Sequence, residues 1–115
     1  VASIAAVRGL PYLAAYCASK HGLIGFTRAL ATEVGDKGVS VHALCPGYVD
    51  TTMTKEACEY IAERTERSEA DARAYLEGQN AGGRLLTPEE VAASILWLST
   101  QEGEVANGEF HLLEG

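Results

Sequence analysis

The 115 residues predict an α/β chain whose strands run parallel and are joined by helical crossovers. Three observations carry this. Short runs rich in small apolar and β-branched residues stand at residues 1–7, 39–45 and 109–113. Long stretches with helical spacing lie between them. Finally, 47% hydrophobic and 22% charged residues, with no repeat, low-complexity tract or linker, is the composition of one compact domain at most.

The elements follow in order. Residues 1–7, Val-Ala-Ser-Ile-Ala-Ala-Val, read as the end of a buried strand, and Arg8-Gly9-Leu10-Pro11 as a loop. From about Tyr12 to Val34 the pattern is helical: Tyr16, Lys20, Leu23 and Thr27 share one face, and Phe26, Leu30 and Val34 a neighbouring stripe. Gly35-Asp36-Lys37-Gly38 ends that helix with a turn. Residues 39–45 read as a strand that Pro46-Gly47 stops. Residues 52–77 read as charged, solvated helix, broken near Thr65 and restarted at Ser68, where Asp71 stands three residues on. Thr87-Pro88-Glu89-Glu90 is a helix start: Thr as N-cap, Pro at N1, an acid at N3. That helix runs to about Ser99, with Ile95, Trp97 and Leu98 expected in the core. Residues 101–108 read as loop, and 109–113 as the last of three strands.

Nine Lys+Arg against sixteen Asp+Glu give a formal charge of -7, which argues against general nucleic-acid binding and against anionic membranes. No window approaches the run of about 20 apolar residues a spanning helix needs. The start has no basic region followed by a long apolar core, so no signal peptide is expected. Three cysteines, 17, 45 and 58, make no disulfide framework and read as reduced thiols in the cytoplasm. The first residue is Val, inside an apolar segment, so the chain reads as a piece of a larger protein.

The chemistry concentrates in Tyr16-Cys17-Ala18-Ser19-Lys20. Helical spacing places Tyr16 and Lys20 side by side. A nearby ammonium favours phenolate over phenol, so the pair can pass a proton to or from a carbonyl or alcohol oxygen. Ser3, thirteen residues before Tyr16, is placed to supply a second hydrogen bond to that oxygen. Together these groups can protonate a carbonyl while a cofactor delivers hydride. By itself Tyr-x-x-x-Lys is more often a helix surface contact.

The surroundings of Tyr16 change that weighting. The run from Pro11 through Tyr16-Cys-Ala-Ser-Lys20 to Ala31 resembles the active-site helix of the short-chain dehydrogenase/reductase family. Cys45-Pro46-Gly47-Tyr48-Val49-Asp50-Thr51 is similar to the family's Pro-Gly-x-Val-x-Thr loop. Gly83-Arg84-Leu85-Leu86-Thr87-Pro88-Glu89-Glu90-Val91-Ala92 resembles the start of its last helix. All three blocks stand in the family's order.

The resemblance implies a Rossmann-like doubly wound parallel sheet, of which residues 1–115 are the C-terminal half, the last three strands and their helices. It implies reversible NAD- or NADP-dependent reduction of a carbonyl to an alcohol. Tyr16 would be the acid/base; Lys20 would tune Tyr16 and bond the nicotinamide ribose; Ser3 would orient the substrate. Pro46, Gly47, Val49 and Thr51 would hold the nicotinamide end, and residues 52–80 would be the variable substrate lid. Substrates of 3-oxoacyl, 3-hydroxybutyrate or polyketide type are implied, as is a homodimer or homotetramer through the helix carrying Tyr16 and Lys20.

The family's Gly-rich phosphate loop, Asn-Ala-Gly motif and catalytic asparagine lie upstream of Ser3 and are absent. His42 stands where many members have Asn. The rival expectation is a non-catalytic fragment or an association module that keeps the helix interface and binds no cofactor.

Two other chemistries use the same residues. Cys17, His21, His42 and Cys45 are zinc-ligand types, but on a strand residues 42 and 45 point to opposite faces, so no metal site is expected. A cysteine nucleophile has no oxyanion loop, and Ala2-Ser3-Ile4 is no nucleophile elbow. Tyr12, Tyr48 and Met53 are candidates for a substrate pocket or for ordinary loop packing.

Overall fold

The computed structural model describes residues 1–100 and 105–115. Its elements are α1 (Ala14–Val34), β1 (Ala43–Pro46), α2 (Thr52–Arg64), α3 (Glu69–Glu77), α4 (Pro88–Thr100) and β2 (Phe110–Leu113), with 3-10 turns at Ile4–Ala6 and Gly35–Lys37. The first part of the loop expected over residues 101–108 lies outside the described residues. No helix among the described residues is long and apolar enough to cross a membrane. The chain divides into two compact units: Val1–Pro46 with Ala93–Leu113, and Gly47–Ala92 with Glu114–Gly115.

The first unit is built on a parallel pair. β1 and β2 align Ala43 with Phe110 through Pro46 with Leu113, and all four residues of β1 are buried. Among the described residues only these two strands form; three were expected. Residues 1–7 make no strand. Ser3 is extended, and its Oγ accepts the Ala5 N–H at 3.2 Å, capping the turn Ile4–Ala6. That bond diverts an N–H a strand would have given to a ladder. Ala2 N–H still reaches Leu44 C=O at 2.7 Å. The turn packs on α1 and β1, and Ala6, Ile24 and Cys45 form a small buried cluster with Ala2, Val7 and Phe110 against it.

Helix α1 buries Cys17, Ile24, Thr27 and Ala31, one stripe along the rod. It starts two residues later than expected. Pro11 at the second position and Tyr12 with φ +64° at the third make the pattern of a type II turn, closed by Leu13 N–H on Leu10 C=O at 3.2 Å. A left-handed residue cannot continue into a right-handed helix. At the other end Gly38, φ +76°, closes the expected turn.

In the second unit the break at Thr65 and the restart at Ser68 fall where expected. Ser68 Oγ accepts Asp71 N–H at 3.1 Å, and Asp71 returns the bond to Ser68 N–H, a capping box. Cys58, Ala72, Leu76 and Leu85 form the core here, packed by Tyr48, Ala57 and Ile61. Residues 47–51 leave β1 and make one parallel bridge, Val49 with Leu86.

Helix α4 starts as expected: Glu90 N–H donates to Thr87 Oγ1 at 3.2 Å and Thr87 N–H to Glu90 at 2.7 Å. Its burial differs from expectation. Ile95 is 42% exposed, Trp97 52%, and Leu98 is only half-buried. A sheet of two short strands offers too little apolar surface to cover a 13-residue helix.

Candidate active site

Tyr16 and Lys20 project from α1 one turn apart, with Lys20 Nζ 5.5 Å from the Tyr16 ring centroid. Tyr16 is 44% exposed and Lys20 half-buried, so both reach solvent at the edge of the stripe that α1 buries. Cys17, next to Tyr16, is buried, and its Sγ takes the Leu10 N–H at 3.4 Å, pinning the preceding loop to the helix. Thr27 and His21 bond back to the carbonyls of Leu23 and Cys17, both at 2.8 Å, which consumes local polar groups without leaving the helix. The geometry brings Tyr16 and Lys20 together. It places Ser3 on a neighbouring turn packed against the same helix, with Oγ engaged as acceptor and its hydroxyl hydrogen still able to donate. Pro46 is the buried last residue of β1.

Gly47, Val49 and Thr51 belong to the second unit. Leu86 N–H donates to Tyr48 C=O at 2.9 Å and Asp50 N–H to Leu86 C=O at 2.7 Å. Strand alternation therefore turns the Val49 N–H and C=O to the opposite edge. There Val49 C=O accepts the Thr54 hydroxyl at 2.5 Å. Thr51 caps α2, taking Thr54 N–H at 3.4 Å, with its own hydroxyl 3.5 Å from Val49 C=O.

Two side chains that sequence reasoning missed hold this loop. Asn80, 3% exposed, bonds both ends of Tyr48. Arg73 grips Asp50 with both terminal nitrogens, at 3.2 and 2.8 Å, and also meets Glu77. The Arg73 guanidinium holds the Asp50 carboxyl below its ordinary range. Arg73–Glu77 was readable from i,i+4 spacing. No local signal joins Asn80 to Tyr48 or Arg73 to Asp50.

Burial pushes the Cys45 and Cys58 thiols up, away from thiolate, with the Ser3 N–H opposing it at Cys45. Neither has the environment of a nucleophile. His42 sits beside His111, ring nitrogens 3.5 Å apart. Desolvation, and then the neighbouring His111, lower its pKa, with Glu109 opposing.

Residues 1–115 match the family described as Enoyl-(Acyl carrier protein) reductase. The chain belongs to the short-chain dehydrogenase/reductase family. It is 34% identical over 115 residues to a 3-oxoacyl-(acyl-carrier-protein) reductase of Chlamydia muridarum, covering all of this chain and 42% of that protein. It is also 34% identical, over a 125-residue alignment, to a 3beta-hydroxysteroid dehydrogenase of Mediterraneibacter gnavus, covering all of this chain and 45% of that one. Among solved structures, an actinorhodin polyketide ketoreductase with NADPH superimposes with TM-score 0.88 at 32% identity, over 99% of this chain and 44% of that one. The chain thus spans less than half the length of the relatives it matches, and its fold is part of their Rossmann-type α/β fold.

Proposed function

We propose that residues 1–115 are the C-terminal half of one nicotinamide-dependent oxidoreductase domain that reduces a carbonyl to an alcohol, reversibly. One observation carries this: a phenol and an ammonium stand one turn apart on α1, both reaching solvent at the edge of the helix's buried stripe. The relatives' names, a 3-oxoacyl reductase, a hydroxysteroid dehydrogenase and a ketoreductase with NADPH, support the same reaction class.

Tyr16 donates its phenolic proton to the carbonyl oxygen as negative charge develops there. Lys20 stabilises the phenolate left behind and bonds the nicotinamide ribose. Ser3 donates its hydroxyl hydrogen to the same carbonyl oxygen, so two donors meet the developing charge. The outward Val49 N–H suits a carboxamide oxygen, and Thr51, with Pro46 and Gly47, completes that end. The residues present therefore fit NAD or NADP; when bound, the nicotinamide supplies hydride to the carbonyl carbon. The charged α2 and α3 are the substrate lid. Two relatives equally similar to this chain carry names for an acyl chain and a steroid, so the substrate class rests on the lid: a 3-oxoacyl, 3-hydroxybutyrate or polyketide-type carbonyl. Exposed Leu23 and Phe26 on α1 support pairing through that helix into a homodimer or homotetramer, and reduced thiols support a cytoplasmic protein.

The test uses the full-length protein with NADPH, NADH and a 3-oxoacyl thioester. Tyr16→Phe is expected to lower kcat by at least about 100-fold, the low end for a lost general acid, with cofactor affinity kept. A near-normal rate rejects the role. Reduction of an enoyl but not an oxo substrate would reject the carbonyl assignment.

A further inference from the structure

The Tyr48 peptide, in the middle of the loop at residues 46–51, is held by one buried side chain from beyond α3. Asn80 Oδ1 accepts the Tyr48 N–H at 2.8 Å, and Asn80 Nδ2 donates to Tyr48 C=O at 2.9 Å and to Arg84 C=O at 2.7 Å. The orientation of the amide is fixed by its partners, since an N–H can only donate and two carbonyls can only accept. Asn80 therefore exchanges with Tyr48 the two hydrogen bonds that a neighbouring strand would exchange. Leu86 N–H fills the second lone pair of Tyr48 C=O.

Gly47 is part of the same arrangement. A Cβ built there would overlap the Asn80 Oδ1 and Cγ atoms, so any larger residue displaces the amide. The Pro-Gly step is thus demanded from across the loop as well as along it. Arg73 ties the loop too, through Asp50, but both side chains are half-exposed and water competes for them. Asn80 is dry, and its loss would take an acceptor from the Tyr48 N–H and a donor from two carbonyls.

We propose that Asn80 is a positioning residue for cofactor binding: by fixing the Tyr48 peptide it sets where the adjoining Val49 N–H and C=O point. This rests on the reading that Val49 meets the carboxamide. Asn80 touches neither substrate nor cofactor in this role, so its signature is in affinity for the cofactor rather than in proton transfer.

The experiment compares full-length wild type with Asn80→Asp and Asn80→Ala. It measures the Kd for NADPH and NADH by nicotinamide fluorescence, Tyr48 amide hydrogen exchange, and KM for the carbonyl substrate. Asn80→Asp keeps the shape and the acceptor but turns an oxygen toward two carbonyls. Expected is cofactor Kd weaker by about tenfold or more in both variants, faster Tyr48 exchange, and substrate KM at saturating cofactor unchanged. Gly47→Ala is expected to weaken cofactor binding alone, yet to add nothing to Asn80→Ala, because the obstructing amide is gone. If wild type binds a cofactor and Asn80→Asp binds it within about twofold while Tyr48 exchange rises, the positioning role is overturned and the functional reading survives. If wild type binds neither cofactor, both fall. Should Asn80→Ala not fold, Asn80→Asp and Gly47→Ala decide alone.

Discussion

The two units are held together by different forces. Val1–Pro46 with Ala93–Leu113 is joined by close apolar contact: a small cluster of Ala6, Ile24 and Cys45, a helix face of Cys17, Ile24, Thr27 and Ala31, and a fully buried β1. Gly47–Ala92 has an apolar centre as well, but its loops and helix ends are fixed by polar ties: Asn80 on Tyr48, Arg73 on Asp50, the Ser68–Asp71 box, and Thr87 with Arg84 on Glu90. Apolar packing is non-directional and tolerates repacking, whereas each polar tie specifies one geometry and fails when one partner is lost. The proton transfer proposed for Tyr16 and Lys20 needs a rigid rod under the pair. A loop that presents backbone groups needs its peptide planes fixed one by one.

The largest test of this contrast is in the first unit. Ile24→Ala is expected to remove about 2–5 kcal/mol, since the side chain is only 6% exposed, and chemical denaturation measures it. A loss below about 1 kcal/mol would mean the cluster is not what holds that unit. In the second unit Gly47→Ala is expected to cost about 1–3 kcal/mol by collision with Asn80, with the cost reduced in an Asn80→Ala background. Additive effects would break the argument. Ser68→Ala is expected to cost about 1 kcal/mol, read by thermal unfolding, and to act on α3 alone.

The units should also part company in acid. Desolvation holds His42 below its usual 6.5, so its neutral form favours the fold, and the first unit weakens as pH falls below 6.5. Arg84 and then the Thr87 N–H lower Glu90 from 4.5 to about 2. Its contribution is therefore complete above 4.5 and lost as pH falls through about 2. Hydrogen exchange is expected to quicken in β2 well before the first turn of α4. His42→Asn should flatten the first limb and Glu90→Gln the second. Simultaneous loss in both elements would show that the two units unfold as one. The smallest effect is expected from Arg73→Ala, whose pair is exposed, checked by the same unfolding curves.

What could be read without coordinates follows the same division, though by sequence distance rather than by force. The break at Thr65, the Ser68 start, the Thr87 cap and the Gly38 turn are polar or conformational signals acting within a few residues, and each falls where its residues put it. Tyr16 and Lys20 are one helical turn apart, so their meeting was also local. The misses are non-local or competitive. Asn80 reaches Tyr48 across 32 positions, and Asn107 reaches Val41 across 66. Residues 1–7 have strand composition, yet one Ser3 hydroxyl captures a nearby N–H and bends them. Trp97 and Ile95 have core chemistry, but what covers a helix face is decided by how much sheet lies under it.

The chain leaves the first unit after Pro46 and re-enters it at Ala93, while β1 and β2 pair in register on either side of the excursion. In evolutionary terms the excursion is a cassette. The entropic cost of closing it rises only with the logarithm of its length, about 0.6 kcal/mol for each doubling. Segments between Thr52 and Glu77 can therefore be lengthened, trimmed or traded between lineages while the strands still find each other, provided that Gly47, Asn80 and the Leu86 bridge survive the exchange. Residues 52–77 can change without rebuilding the helix that carries Tyr16.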